Sequence, residues 1–232
     1  LINLTRDQPL YASQISFIEG DPAALLAVEY YGENESEVAS KTQRLLEHLR
    51  KRGVRLMTEP QVVLDPAQQA KVWSVRKAGL GLLMSVKGDA KPIPVIEDVS
   101  VPVDHLPEFV GAVEEMVARY DTTAAYYAHA SAGCLHIRPL INLKSIAGIE
   151  AMVEMADAAA EMARRFGGVM SGEHGDGLQR SVLNEVIFGP ELYGAMRELK
   201  SIFDPIGLMN PGKIVDAPPM TENLRYGPKY NP

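Results

Sequence analysis

This sequence of 232 residues has only one cysteine, no long apolar run and no excess of basic charge. Its one cysteine, Cys134, is too few for a disulfide framework or for a cysteine-ligated zinc or iron–sulfur module. No run approaches about 18 consecutive apolar residues, so the sequence predicts no membrane-spanning helix. The formal net charge of −7 argues against a nucleic-acid-binding protein, because such proteins usually carry a basic surface.

The sequence has enough apolar residues, 46%, to form a folded core in one large domain or two small ones. It begins with Leu1 rather than Met, and we expect it to be a piece of a longer protein. Residues 216–232 are rich in Pro, Tyr and Asn and show no hydrophobic periodicity. We therefore predict one domain over residues 1–215, followed by a linker or an arm to another domain.

Hydrophobic patterning predicts two strand–helix–strand units and several further helices. The predicted strands cover residues 24–31, 54–57, 95–101, 124–130 and 135–140. The predicted helices begin at Asn34 and Asp104 and cover residues 66–86, 146–166 and 191–203. This order favours an α+β fold with ferredoxin-like repeats, in which helices pack on one face of an antiparallel sheet. A parallel βαβ sheet is the competing interpretation, less favoured because no glycine-rich phosphate turn follows any strand.

Three of the five histidines lie in segments that are typical of a site. His129 and His136 flank a predicted turn at 131–133, and His174 follows Glu173 in a glycine-rich segment. If the two flanking strands pair, both imidazoles reach the same end of the sheet. Two His and one Glu form a ligand set that suits a divalent ion. On spacing alone, an alternative stays open in which the histidines hydrogen-bond within the sheet and the glutamate is solvated.

Four segments in this order carry a resemblance to a known family: VWSVRK, EDVSVP, AHASAGCLH with SGEHGDG, and DPIGLMNPGKI. From about Leu25 to Ile214 the sequence resembles the C-terminal, substrate-side domain of FAD-linked oxidases of the vanillyl-alcohol-oxidase type. It is most similar to D-lactate, glycolate and D-2-hydroxyglutarate dehydrogenases. The family's motif H-x-G-D-G-N-L-H reads H-A-S-A-G-C-L-H here, with Ser131, Ala132 and Cys134 in place of Gly, Asp and Asn.

The resemblance implies roles for the clustered polar residues. His129, His136 and Glu173 match positions that ligate a divalent metal, and Zn or Mn suits such ligands. His174 matches the general base that deprotonates the substrate. Arg76 matches the arginine that holds the substrate carboxylate.

The resemblance also implies a flavin cofactor and further domains. Asn210 and Lys213 match the terminal, cofactor-binding segment that packs back against the flavin domain, while FAD itself is bound mainly by an N-terminal domain outside this chain. The motif variant and the tail PPMTENLRYGP resemble long bacterial proteins in which a flavin part is fused to an iron–sulfur part. We therefore expect an FAD-binding domain and an iron–sulfur domain as partners, a homodimer, and a location in the cytoplasm or at the periphery of the inner membrane.

The implied reaction oxidises a D-2-hydroxy acid to a 2-oxo acid, with metal-assisted deprotonation and hydride transfer to FAD. We expect the isolated chain to be inactive and colourless.

One alternative is a non-catalytic assembly subunit of such a complex, which Ser131, Ala132 and Cys134 favour. A His2Glu metallohydrolase ranks lower, because the sequence has no HExxH-type helix.

Overall fold

The structure is a computed structural model that describes residues 2–6 and 15–230. The described residues leave out Leu1 and residues 7–14 of the predicted domain. They also leave out residues 231–232 of the predicted arm. The chain divides into two compact units, Leu1–Leu82 and Leu83–Pro232.

The first unit contains helices α1 (Ile2–Arg6), α2 (Glu35–Lys51) and most of α3 (Pro66–Met84). Helix α2 begins where the sequence predicts, because the Asn34 side chain accepts a hydrogen bond from the Glu37 amide at 3.0 Å. The predicted strands at 24–31 and 54–57 are wrong, since these described residues form no strand. Within the described part of the first unit, these segments have no partner strand, and the Leu26 side chain is 85% exposed. The ferredoxin-like repeat is therefore not confirmed.

The described residues of the second unit form four strands and four helices. Its strands are β1 (Lys91–Pro92), β2 (Ile96–Ser100), β3 (Ala124–His129) and β4 (Cys134–Ile141). Its helices are α4 (Leu106–Ala118), α5 (Ile146–Arg165), α6 (Gly177–Arg180) and α7 (Asn184–Phe203). The predicted helix at 191–203 is the part of α7 that follows a kink at Gly189.

Strand β4 lies at the centre of an antiparallel sheet. Strands β3 and β2 both pair with its first residues and therefore lie on opposite sides of it, while β1 pairs with its end at Leu140 and Ile141. Every pairing is antiparallel, so the α+β prediction is confirmed for this unit and the parallel alternative is wrong.

Side chains alternate across this sheet and separate a core face from a polar face. The core face joins the inner sides of α4 and α5, and its fully buried members include Ile96, Ile137, Phe109, Met152 and Met155. Helices therefore cover one face, as the sequence predicts. The opposite face carries Tyr127, His129, His136 and Arg138, whose positions alternate with the core residues of β3 and β4.

A β-bulge interrupts the alternation in β2. Ile96 pairs with Ile137 and Val99 with Leu135, so three steps along β2 match two steps along β4. Both Ile96 and Val99 are buried in the core. The two residues between them, Glu97 and Asp98, therefore both leave the core face, and Asp98 adopts a left-handed backbone conformation with φ of 52°.

Residues beyond the predicted domain boundary contact this core. Met220 is buried in it, and Leu224 and Tyr226 pack against it. The boundary at 215 stays a prediction.

Among the described residues, no helix combines the length and the apolar character needed to cross a bilayer.

Candidate functional site

Three imidazoles converge on a single carboxylate oxygen on the polar face. The Nε2 atoms of His136 and His174 lie 3.1 and 3.4 Å from Glu173 Oε1. The Nε2 atom of His129 lies 3.7 Å from the same oxygen. The structure thus brings together four of the residues that the sequence predicts for the site.

The hairpin between β3 and β4 places two of these imidazoles side by side. Tyr127 pairs with His136 and His129 with Cys134, so the two histidines are diagonal neighbours on one face. Their ring centroids lie 5.5 Å apart. The tight turn requires Gly133, which has φ of 69° and whose added Cβ would lie 1.9 Å from a backbone oxygen.

His136 is the buried member of the cluster, with 3% exposure. Its Nδ1 lies 3.1 Å from Glu97 Oε1, and its ring stacks on Tyr127 with centroids 4.4 Å apart. Burial lowers the pKa of the His136 imidazole, while the Glu97 and Glu173 carboxylates act against this shift. A neutral His136 that donates its Nδ1 hydrogen to Glu97 directs the lone pair of Nε2 towards Glu173.

Glu97 is itself held by two other side chains of the polar face. The Tyr127 hydroxyl donates a hydrogen bond to its Oε1 at 2.9 Å. The Nε atom of Arg138 lies 2.8 Å from its Oε2 as an ion pair, although the angle is not that of a hydrogen bond. Glu97 and Arg138 are 6% and 7% exposed, so each buried charge has a partner of opposite sign.

The loop that carries Glu173 and His174 passes close to the bulged strand. An added Cβ at Gly172 would lie 2.0 Å from Ser100 Oγ, so the loop needs glycine there. Burial alone would raise the pKa of the Asp98 carboxyl, but hydrogen bonds from the loop and from Arg180 lower it to about 2. The Nδ1 atom of His174 lies 3.4 Å from Asp98 Oδ1.

Among the residues that the structure describes, two overlapping groups of donor atoms have the size of a cation site. The donors of His129, His136 and Glu173 lie within 4.8 Å of one another, as do those of Glu97, His136 and His174. Two imidazole nitrogens and a carboxylate oxygen suit Zn²⁺ or Mn²⁺. The first group fits better, because both oxygens of Glu97 already contact neighbouring side chains.

A match over most of the chain identifies its family. The model of the FAD linked oxidases, C-terminal domain, matches residues 5–214. This chain belongs to that family. This match confirms the resemblance to FAD-linked oxidases that was inferred from four short sequence segments.

Individual members of known function are also similar to this chain. The D-2-hydroxyglutarate dehydrogenase of Haemophilus influenzae is 31% identical over 92% of this chain and 21% of its own length. That of Escherichia coli is 30% identical over 95% of this chain and 23% of its own length. The D-lactate dehydrogenase of Archaeoglobus fulgidus is 33% identical over 57% of this chain and 29% of its own. The chain thus spans about a fifth of the length of the first two relatives.

The remaining predicted site residues lie apart from the histidine cluster in the sequence. Arg76 belongs to the first unit and is half-buried on α3. Asn210 and Lys213 lie in the loop after α7, where the Lys213 Nζ is 3.4 Å from Asn210 Oδ1. The roles of these three residues, in binding the substrate and the flavin, stay predictions within this FAD-linked oxidase domain.

Sequence reasoning missed the residues that support the cluster: Tyr127, Arg138, Glu97, Asp98 and Arg180. The alternation in CLHIRP was a usable signal, since it places Arg138 on the face of His136. The bulge had no such signal, because a strict period of two would turn one of the two neighbouring carboxylates towards the core.

Proposed function

We propose that this domain is the substrate side of a flavin-dependent dehydrogenase that oxidises a D-2-hydroxy acid to the 2-oxo acid. The observation that supports this most is the approach of three imidazole nitrogens to Glu173 Oε1, at 3.1, 3.4 and 3.7 Å. Dehydrogenases of two such acids, D-2-hydroxyglutarate and D-lactate, are among its relatives. FAD, bound mainly by an N-terminal domain, supplies the hydride acceptor in this proposal.

Three of the clustered residues would hold a divalent metal: His129, His136 and Glu173. A metal there supplies a Lewis acid, which makes the hydroxyl of a bound 2-hydroxy acid easier to deprotonate. The contact between His136 Nδ1 and Glu97 supports this assignment, because metal-binding histidines commonly donate their second nitrogen to a carboxylate.

His174 takes the proton from the substrate hydroxyl. Its side chain is 47% exposed, so a small molecule can reach it. The Asp98 carboxylate near its Nδ1 orients the ring and leaves Nε2 as the basic atom. Arg76 would hold the substrate carboxylate, since a guanidinium offers two parallel donors to a carboxylate. An iron–sulfur domain would take the electrons onward.

The test uses the full-length protein that contains this domain. Turnover of D-2-hydroxyglutarate, D-lactate and glycolate is measured with an artificial electron acceptor, with the L-enantiomers of the two chiral acids as the stereochemical control. We expect turnover of at least one of the three acids, its loss after treatment with a chelator, and its return with Zn²⁺ or Mn²⁺.

A matched pair of variants links this activity to the site. Glu173→Gln should lower turnover by about 100-fold or more, because an amide is a poor replacement for an ionised metal ligand. Glu161→Gln is the control, since Glu161 is an exposed glutamate that pairs only with Arg164 among the ion pairs of the described residues. Turnover that survives Glu173→Gln would exclude the proposed catalytic role of the cluster, whereas a wild type that turns over none of the three acids would favour the assembly subunit.

A further inference from the structure

Asp98 is a completely buried carboxylate below the loop that carries Glu173 and His174. Its Oδ2 accepts hydrogen bonds from the backbone amides of Glu173 and His174 at 2.9 and 2.8 Å. The same oxygen accepts the Ser171 hydroxyl at 2.7 Å. Its Oδ1 lies 2.6 Å from Arg180 Nη1. One carboxylate therefore fixes the backbone of two consecutive residues of the candidate site.

Arg180 connects both ends of the same loop to the bulged strand. Its Nη1 donates to the carbonyl oxygen of Met170 at 2.9 Å, before the loop, and to that of Glu97 on the strand. Its Nη2 donates to the carbonyl oxygen of Gly175 at 2.8 Å, after the loop, and contacts Ser171 Oγ at 3.3 Å. Arg180 is 6% exposed, and its planar guanidinium contacts five acceptor atoms, one of which is Asp98 Oδ1.

A buried ion pair is weak evidence for a contribution to stability, because removing two charges from water costs about as much as their attraction returns. What distinguishes this pair is the identity of its hydrogen-bond donors. The two amides on Asp98 belong to the residues whose side chains meet at the cluster. A shift of this loop would move Glu173 and His174 together relative to His136.

We propose that Asp98 and Arg180 are positioning residues that hold Glu173 and His174 in the geometry needed for metal binding and proton transfer. This inference rests on the proposed function of the cluster. Arg180 acts through the loop, and Asp98 acts through the loop and through the ring of His174, whose Nδ1 lies 3.4 Å from Asp98 Oδ1. Neither residue is among the proposed metal ligands or substrate contacts.

Asp98→Asn is the sharpest test, because asparagine keeps the size of the side chain and also tolerates the left-handed backbone. Both carboxylate oxygens accept hydrogen bonds from donors, so either orientation of the amide turns its NH₂ group towards a donor. We expect the variant to bind Co²⁺ at least about 10-fold more weakly, with an altered d–d absorption spectrum. We also expect kcat to fall at least about 10-fold, with KM for the hydroxy acid changed by less than about 3-fold.

Asp204→Asn is the matched control for metal binding. Asp204 is also buried, and it also accepts two backbone amides, those of Leu208 and Met209, together with a cation, Lys200. Its loop carries none of the cluster residues. The control should lose thermal stability but keep the Co²⁺ affinity and spectrum of the wild type.

Arg180→Lys is the second variant, in case Asp98→Asn does not fold. Lysine keeps the charge beside Asp98 but has no planar fork to reach both Met170 and Gly175. The Co²⁺ affinity should fall between those of the wild type and Asp98→Asn. Hydrogen exchange of the amides of Glu173 and His174 should be faster in both variants. Asp98→Asn weakens their acceptor, Asp98 Oδ2, and Arg180→Lys loosens the hold on that carboxylate.

The outcomes separate this inference from the proposed function. If the wild type binds Co²⁺ and both variants bind it equally well with the same spectrum, the inference is overturned and the proposed function stands. If the wild type binds no Co²⁺, the proposed metal site is wrong and the exchange data decide: unchanged exchange at Glu173 and His174 also overturns the positioning role. Faster exchange there would support a loop-holding role for Asp98 and Arg180 at a site of different chemistry.

Discussion

His136 lies between two carboxylates, and the one at its Nδ1 is Glu97, 3.1 Å away. Glu97 is buried on a bulge of β2, whereas the carboxylate at Nε2, that of Glu173, lies on a half-exposed loop. The two nitrogens of one ring are therefore distinguished by their surroundings. A hydrogen bond from Nδ1 to Glu97 would fix the ring and its tautomer and leave Nε2 for the cluster.

Glu97→Gln should weaken metal binding by about 10- to 100-fold, because the amide no longer favours the tautomer with a free Nε2. It also leaves the buried Arg138 without a counter-charge, so thermal stability should fall. Isothermal titration with Zn²⁺ and thermal unfolding measure the two effects.

The control for this change is Glu154→Gln, because Glu154 likewise accepts a tyrosine hydroxyl, that of Tyr120, at 2.9 Å on the outside of α5. It should leave the Zn²⁺ affinity unchanged. Equal affinities of the wild type and Glu97→Gln would show that Glu97 does not support the ligand.

His174→Asn separates the base from the ligands. We expect turnover to fall by about 10²- to 10⁴-fold, the usual contribution of a general base, while the metal content stays near that of the wild type. Steady-state kinetics and elemental analysis on the same preparation give both values. Loss of the metal together with the activity would instead make His174 a ligand.

Three Gly→Ala substitutions should differ in a graded way. Gly111 lies within α4 with open space around it, so alanine should stabilise the fold by about 0.5–1 kcal/mol. Gly167 has open space but φ of 72°, so alanine there should destabilise by about 1 kcal/mol. Gly133 adds a backbone clash to φ of 69°, and its substitution should cost at least about 2 kcal/mol. Urea denaturation measures the series, and a stable Gly133→Ala would contradict the hairpin geometry.

Asp204 should make stability depend on pH. A hydrogen bond from Lys200, with the amides of Met209 and Leu208, lowers the pKa of the Asp204 carboxyl below 3.8, and burial acts against this. Because the folded-state pKa is the lower one, the stabilisation is present above about pH 3.8 and is lost as the pH falls through the folded-state pKa. The difference in Tm between wild type and Asp204→Asn should be largest near neutral pH and should shrink below pH 4. A constant difference would show that the charge of Asp204 contributes nothing.

The sequence correctly predicted the helices and strands that a regular local pattern of apolar or turn residues marks. The face of α4 that contains Phe109 and Val113 is buried as its spacing indicates, and the hairpin around Gly133 pairs as its turn indicates. Residues 24–31 have the same apolar, β-rich composition, but a strand also needs a partner. Composition gives no information about whether such a partner is present.

The candidate site was partly predictable for a related reason. His129, His136, Glu173 and His174 stand in segments rich in turn residues, and a family resemblance assigned their roles. The support from Asp98 and Arg180 joins residues 82 positions apart and depends on one extra residue in β2. No local pattern encodes that contact.

The central claim is that His129, His136 and Glu173 hold one divalent metal. Elemental analysis of the full-length protein, purified with Zn²⁺ or Mn²⁺ supplied, tests it most directly. We predict about one such ion per chain in the wild type and in the control His105→Ala, whose exposed ring pairs with Glu108. We predict loss of that ion in His129→Ala, His136→Ala and Glu173→Gln. A wild type without Zn or Mn, or three variants that retain the full amount, would contradict the account.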